Sequence, residues 1–228
     1  MASFQIVDDQ PDFVVIDKAP NVNFHDEGNF GQGLFHQVKT VLSLEELYPV
    51  HRLDKITSGL LVFAKNSEAA ATFQKLFSEH KIEKYYLALS TQKPKKKQGL
   101  VKGDMAKSRR GMWKLMRTTE NPAITQFFSY SLGTGKRAYL LKPHSGKTHQ
   151  IRVAMASIGA PILGDPLYSI VESERGYLHA FALQFKWQEK SFEYELPPVI
   201  GEEFTSTEFR NWLQSMNKPW ALAWPKTK

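Results

Sequence analysis

The segment from His51 to Gly59 has the clearest capacity for chemistry, because it places one carboxylate, Asp54, among basic neighbours. Arg52 and Lys55 flank that carboxylate, and the apolar run from Leu60 to Ala64 follows at once. Nearby positive charge favours an ionised carboxylate and fixes its direction, which is the state that a carboxylate nucleophile needs. The same pattern also fits a turn at the entry to a buried strand, held there by a salt bridge.

A second polar segment, from His144 to Arg152, precedes a run with helical spacing. Thr148 can cap this helix, which the pattern ends at Gly159. His149 and Arg152 are three residues apart and should therefore share a helix face. Free N–H groups at the helix start, with Lys147 just before them, would form a phosphate-binding corner.

Other patterns predict the elements that must position these two segments. Phe13 to Ile16 is a short apolar run stopped by a turn, and Lys84 to Leu89 has the composition of a strand. Alternating apolar residues from Phe181 to Leu196 predict a hairpin. Thr205-x-x-Glu208 is a capping-box pattern that predicts a C-terminal helix, followed by a tail whose tryptophans can either pack or bind a partner.

Composition limits the classes of site and location. The 228 residues include no cysteine, which excludes disulfides, thiol nucleophiles and cysteine-based metal sites. No apolar run approaches the roughly 20 residues that span a bilayer. The N-terminus resembles no secretory signal, so we expect a cytoplasmic protein without a membrane partner.

Net charge is +7, with a sequence pI near 9.4. Such a balance favours polyanionic partners, nucleic acid first. The excess is concentrated in a basic insertion at about 93–118, where aromatic and apolar residues alternate with the charges. This insertion is either a solvated linker, mobile from Lys93 to Lys97, or a surface that meets phosphates and bases.

Several of these residues carry a resemblance to a known family. His51-Arg52-Leu53-Asp54-x-x-Thr57-Ser58-Gly59-Leu60-Leu61 resembles the catalytic motif of the RluA family of RNA pseudouridine synthases. Lys84-x-Tyr86-x-Ala88 and His149-Gln150-Ile151-Arg152 are similar to two further family patterns, and the resemblance extends from about Ile6 to Pro198. Ser145, Lys147 and Ala154 depart from the family pattern, and Lys147 replaces an arginine that would offer a planar fork.

The resemblance implies an α+β fold of the pseudouridine synthase type. Its central sheet would be mixed and largely antiparallel, in two subdomains with a catalytic cleft between them. We expect residues 1–228 to form a single catalytic domain without the small RNA-binding module that precedes it in many relatives, with a C-terminal helix and tail at about 205–228. We also expect a monomer.

The resemblance also implies roles for nine residues. Asp54 would be the nucleophile, Arg152 would orient and stabilise it, and Tyr86 would stack on the base and assist removal of the C5 proton. Substrate contacts are expected from six further residues: His51, Arg52, Thr57, Lys147, His149 and Gln150. The implied reaction is an isomerisation of uridine within RNA that needs no cofactor and no metal, and Arg52 would hold the extruded nucleotide or fill the space it leaves.

Two other functions stay open on the sequence. A non-catalytic RNA-binding module or RNA chaperone would keep the pocket without turnover. A metal-dependent nuclease would use Asp54 together with Asp165, which otherwise belongs to a structural loop and satisfies backbone donors. The sequence does not decide whether the substrate is ribosomal or transfer RNA. It also does not decide whether Asp54 adds at C1′ or removes a proton from C2′.

Overall fold

The computed structural model describes residues 2–26, 28, 31–133 and 135–227. Within these ranges the strands are, in order, β1 (Phe4–Asp9), β2 (Phe13–Lys18), β3 (Tyr48–Pro49), β4 (Ser58–Ala64), β5 (Glu83–Ser90), β6 (Gln98–Gly103), β7 (Met105–Lys107), β8 (Trp113–Leu115), β9 (Ala123–Ser131), β10 (Arg137–Pro143), β11 (Leu178–Trp187) and β12 (Lys190–Glu195). The α-helices are α1 (Leu34–Val41), α2 (Ser67–Ser78), α3 (Gln150–Ser157) and α4 (Thr207–Ser215).

Ten of these strands form one sheet in the order β1-β2-β4-β11-β5-β10-β9-β6, with β12 paired to β11 and β3 paired to β4. The pairing of β4 with β11 is parallel, and the other pairings in this sheet are antiparallel. β7 and β8 form a separate two-stranded hairpin. This mixed, largely antiparallel sheet with four helices confirms the predicted fold class.

β4 lies near the middle of the sheet, and each of its seven residues is buried. Its sequence is almost continuously apolar, as a strand covered on both faces requires. Phe13 on β2 packs edge-on against Phe73 of α2 and Phe185 of β11, with ring centroids 5.5 and 5.6 Å apart. The segment that precedes β4 is therefore attached directly to the buried core of the sheet.

Gly59 permits the parallel contact between β4 and β11. Its φ angle is 105°, and a Cβ atom at this position would lie 2.3 Å from the carbonyl oxygen of Ala180. No other residue could bring the two strands this close without moving the backbone. The start of β4, and with it the turn that carries Asp54, is consequently held against the centre of the sheet.

The C-terminal helix begins one residue later than the capping-box pattern predicted. Ser206 is the N-cap, and its hydroxyl accepts a hydrogen bond from the Phe209 amide at 3.3 Å. The Thr205 hydroxyl instead donates to the Gly201 carbonyl at 3.0 Å, because the chain is still turning there. The tail that follows packs on the sheet, where the rings of Trp224 and Phe128 lie 4.8 Å apart.

The basic insertion is more ordered than a linker. β6 extends the edge of the large sheet by pairing with β9. The carboxylate of Asp104 then accepts hydrogen bonds from the amides of Glu120 and Asn121, at 3.0 and 2.8 Å, and closes the insertion at its base. Of the two interpretations of the insertion, a linker does not fit from Gln98 onward, since backbone pairing and this acidic cap organise the segment there.

None of the helices in the described ranges combines the length and the apolar character needed to cross a bilayer.

Candidate active site

A cavity of about 530 Å³ opens where the turn before β4, the start of β5 and the loop before α3 meet. Five cationic side chains and only two carboxylates line it, so the cavity has a net positive wall. The lining includes all nine of the residues proposed from the sequence. The tertiary structure therefore brings the predicted site residues into one space.

Asp54 begins a tight turn, in which the Thr57 amide donates to the Asp54 carbonyl at 3.0 Å. The fully buried Lys18 supports this turn from below and donates to the carbonyls of Lys55 at 3.1 Å and of Thr57 at 2.7 Å. Burial lowers the pKa of Lys18 to about 7, as expected for an ammonium group that is held mainly by carbonyl dipoles. The turn is thus fixed by contacts that involve no part of the Asp54 carboxylate.

Arg152 reaches Asp54 from α3, with Nη1 at 3.5 Å from Oδ2. Its stronger partner is Asp165, which receives Nε and Nη2 at 2.7 Å each in a bidentate pair. Burial alone would lower the pKa of Arg152, but the hydrogen bonds with Asp165 and the two carboxylate charges outweigh burial and raise it. Arg152 is therefore a permanent cation that Asp165 anchors and Asp54 shares.

Asp165 also accepts from the backbone, as predicted, at the amides of Leu167 (2.9 Å) and Tyr168 (3.3 Å). The pairing with Arg152 was not predicted from the sequence. The Arg152 guanidinium lies between Asp54 and Asp165, in the place that a metal bridging the two carboxylates would need. In the described ranges, moreover, no three His, Asp or Glu side chains converge as metal ligands.

Tyr86 is buried on β5 and faces the cavity. Burial raises the pKa of its phenol, and the nearby charge of Asp54 raises that pKa further. The phenol is consequently neutral, and its ring offers a flat apolar surface close to the Asp54 carboxylate.

The start of α3 differs from the prediction. The helix begins at Gln150, and His149 occupies the N-cap position in a left-handed conformation with φ of 56° and no capping side chain. Thr148 is thus part of the preceding turn. The His149 ring instead points to Tyr168, with Nδ1 at 3.0 Å from the phenol oxygen. Burial, and then the charge of Arg152, lower the pKa of His149.

The side chains of Gln150 and Lys147 form hydrogen bonds with other parts of the protein. The Gln150 amide accepts from the Ser145 hydroxyl at 2.7 Å and the Lys147 amide at 3.1 Å, and donates to the Ile124 carbonyl and the Thr125 hydroxyl at 3.1 Å each. The Lys147 ammonium donates to the Asn121 carbonyl. The Lys147 amide and the Gln150 side chain are therefore not available to a phosphate at this helix start, so the corner does not form as predicted there.

His51 and Thr57 are also held by the backbone, whereas Arg52 is free. The Val62 amide donates to His51 Nε2 at 3.0 Å, and burial together with the charge of Lys84 lowers the pKa of His51 to about 3. Arg52 is exposed and forms no ion pair with a residue in the described ranges. Of these three side chains, only Arg52 is available to a ligand without rearrangement.

Two contacts that the sequence did not predict connect the insertion to the site. The Tyr168 hydroxyl accepts a hydrogen bond from the Trp113 amide of β8 at 2.7 Å. The Tyr168 ring lies against the Arg152 guanidinium, 5.1 Å from its centroid. The position of Tyr168 three residues after Asp165 was the only sequence signal for this role.

Comparison with known proteins identifies the family. The profile described as RNA pseudouridylate synthase matches residues 12–157. A relative from Haemophilus influenzae, described as an uncharacterized RNA pseudouridine synthase, is 52% identical over 200 residues, which cover 87% of this chain and 89% of that protein.

A more distant relative is the tRNA pseudouridine(31) synthase of Saccharomyces cerevisiae, 30% identical over 74% of this chain and 47% of its own length. Among solved structures, human RNA pseudouridylate synthase domain containing 1 superposes with a TM-score of 0.71 at 26% identity, over 86% of this chain and 83% of that one. The fold, the profile and the relatives agree, and the chain belongs to the RNA pseudouridylate synthase family of isomerases.

Proposed function

We propose that this protein isomerises a uridine in folded RNA to pseudouridine, with Asp54 acting on the ribose of a nucleotide extruded from the RNA. The observation that carries the proposal is the meeting of Asp54 and Arg152 at 3.5 Å beside a cavity, although 98 positions separate them in the chain. A carboxylate beside an anchored guanidinium keeps its charge and its direction, which the reaction requires.

The proposed reaction conserves every atom of the nucleotide. The bond between N1 and C1′ breaks, a bond between C5 and C1′ forms, C5 loses a proton and N1 gains one. No oxidant, reductant or energy source enters this balance. Asp54 starts the reaction either by adding at C1′ or by removing a proton from C2′, and both routes need the ionised carboxylate.

Entry of the uridine requires that the base leave its stack in the RNA, at an unstacking cost of a few kcal/mol. A cavity of about 530 Å³ provides room for one nucleotide. Arg52, exposed beside Asp54, is placed to occupy the vacated position in the RNA or to hold the extruded nucleotide.

Tyr86 is proposed to stack on the uracil. Because its pKa is raised, its phenol is a poor base by itself. It can take the C5 proton only while it passes its own proton to another acceptor, so we assign it stacking and proton relay together.

The substrate is proposed to be structured ribosomal or transfer RNA, which the protein would bind in the cytoplasm. Shape and splayed bases are what proteins read in folded RNA. The basic insertion supplies exposed cations next to the cavity, and its hairpin is joined to the site through Trp113 and Tyr168.

Release of tritium from RNA labelled at uracil C5 tests the proposal directly. Total RNA from cells lacking this protein is the substrate, and pseudouridine mapping identifies the product. We expect turnover by the wild type and by Glu189→Gln, which changes a 95% exposed carboxylate, and none by Asp54→Asn.

Three outcomes would contradict this assignment. Turnover retained by Asp54→Asn would remove the nucleophile. Absence of pseudouridine with the wild type would favour an RNA-binding protein without catalysis. Cleavage of the RNA in magnesium would favour a nuclease.

A further inference from the structure

The cavity contains a cation that the chemistry proposed for Asp54 does not use. Lys84 lies on β5 two residues before Tyr86, so both side chains extend from the same face of the strand and line the cavity. Tyr85, between them, faces the opposite side and lies 5.7 Å from the Trp224 ring. Lys84 therefore points into the same space as the residue proposed to stack on the base.

The ammonium group of Lys84 has no counter-charge. Within the described ranges it forms neither an ion pair nor a side-chain hydrogen bond, and it lies over the Phe77 ring, 5.5 Å from the ring centroid. Burial lowers its pKa to about 8, and no nearby carboxylate opposes that effect. At neutral pH the cavity thus holds a largely desolvated cation.

The other cations of the wall are already engaged. Lys142 pairs with Glu83 at 2.7 Å, Arg152 pairs with Asp165, and Lys147 donates to the Asn121 carbonyl. Arg52 is exposed to solvent. Among the cations of the described wall, Lys84 is consequently the one inside the cavity that has neither a carboxylate nor a carbonyl partner.

The loop opposite Lys84 leaves space for such an anion. A Cβ atom added to Gly146 would lie 3.8 Å from Lys84 Nζ and would meet no other atom within 4 Å. The amides of Gly146 and Thr148 donate to no acceptor in the described part of the chain. The Gly146 amide and the unpaired ammonium on β5 therefore border one open space, the cavity that both residues line.

We propose that Lys84, with the loop 144–148, binds a phosphodiester of the RNA strand beside the uridine that enters the cavity. A phosphodiester carries the full negative charge that the ammonium lacks, whereas a base carbonyl does not. Lysine binds phosphate as a point charge and needs no planar fork. This inference rests on the proposed function and gives the same site a second contact with its substrate.

The neighbouring titratable groups do not supply the missing charge. His51 and His144 face Lys84, and burial lowers the pKa of both rings, that of His51 to about 3. Both histidines are therefore neutral from pH 7 to 9. Lys18, below the Asp54 turn, has a pKa of about 7 in both proteins, so the difference between the wild-type and Lys84→Gln pH profiles, rather than either profile alone, reports on Lys84.

The variant Lys84→Gln tests the contact, and Lys190→Gln, an exposed lysine at the start of β12, is the matched control. With RNA labelled at uracil C5, we expect Lys84→Gln to raise KM roughly tenfold to hundredfold while kcat changes little, because a phosphate contact stabilises ground and transition states alike. Wild-type KM should rise as pH passes about 8, and the variant should lack that rise. The melting temperature of Lys84→Gln should not fall, since a desolvated charge has been removed.

Ethylation interference identifies the ligand as phosphate. RNA randomly ethylated on its phosphates is selected for binding to the wild type and to Lys84→Gln. We expect one ethylation beside the modified uridine to block wild-type binding and to have no effect on the variant. An unchanged KM for Lys84→Gln, or the same interference pattern for both proteins, would overturn the phosphate site. Absence of tritium release by the wild type would instead overturn the proposed function.

Discussion

Replacing Asp165 by asparagine separates the support of the site from its chemistry. Asp165 is 1% exposed and Arg152 is 4% exposed, and two hydrogen bonds of 2.7 Å join them. Asparagine keeps the shape of the side chain but removes its charge. Arg152 would then be a buried guanidinium whose remaining carboxylate partner, Asp54, lies 3.5 Å away.

The size of the effect follows from the burial of the pair. Removing one partner of a buried ion pair destabilises a protein by about 3–5 kcal/mol. The asparagine oxygen can still accept one of the two hydrogen bonds, so we expect the lower end, about 3 kcal/mol. At 2–4 °C per kcal/mol for a chain of this size, the melting temperature should fall by about 6–12 °C.

The effect on activity should be smaller than that of changing Asp54. A guanidinium that has lost its anchor no longer fixes the direction of the Asp54 carboxylate, and a misplacement of about 1 Å lowers a rate roughly a hundredfold. Asp54 itself is 29% exposed, and its pair with Arg152 is long, so Asp54→Asn should change stability by no more than about 1 kcal/mol. Asp54→Asn should therefore lose activity while it keeps nearly all of its stability, whereas Asp165→Asn should lose part of its activity and part of its stability.

Thermal melting and single-turnover tritium release measure the two quantities. Glu189→Gln, which also replaces a carboxylate by an amide, should match the wild type in both assays. The assignment of Asp165 as the anchor of Arg152 is wrong if Asp165→Asn has the same melting temperature as Glu189→Gln. It is also wrong if the melting temperature of Asp54→Asn is as low as that of Asp165→Asn.

Two further predictions concern salt and pH. Changing Lys95, Lys96 and Lys97 to glutamine should weaken RNA binding. It should also reduce the slope of log affinity against log salt by up to about 2–3, because each lost phosphate contact contributes roughly 0.7–0.9. An unchanged slope would mean that these three lysines contact only solvent and not RNA. Burial lowers the pKa of His51 and His179 to about 3, so the unfolded chain binds more protons below pH 6.5. The free energy of unfolding, measured with urea, should therefore decrease by about 1.4 kcal/mol per histidine for each pH unit below about 6.5, and a flat profile down to pH 4.5 would contradict it.

The turn and strand around Asp54 were predictable because their signals are local. A polar turn followed at once by a continuous apolar run indicates a carboxylate at the start of a buried strand. The strand that carries Tyr86 was likewise predictable from neighbouring residues. Family resemblance then connected Asp54 with Arg152, which spacing alone does not.

Helix starts and loops were less predictable, because competing partners decide them. Thr148 and Thr205 both have the side chain of a good cap, but the helices begin after His149 and Ser206. In each case the backbone of the preceding turn determines which residue is the cap. Sequence patterns contain no information on that competition.

By itself, the sequence determined that one carboxylate among cations precedes a buried strand and that the chain favours a polyanionic partner. Only the tertiary structure decided which cation of the site is held by a carboxylate, which is held by a backbone carbonyl and which has no such partner. Arg152 is bound by Asp165, the Lys147 ammonium donates to the Asn121 carbonyl, and Lys84 has no counter-charge in the described part of the chain. The reason is that whether a polar group is already satisfied depends on partners that the sheet brings together from distant positions.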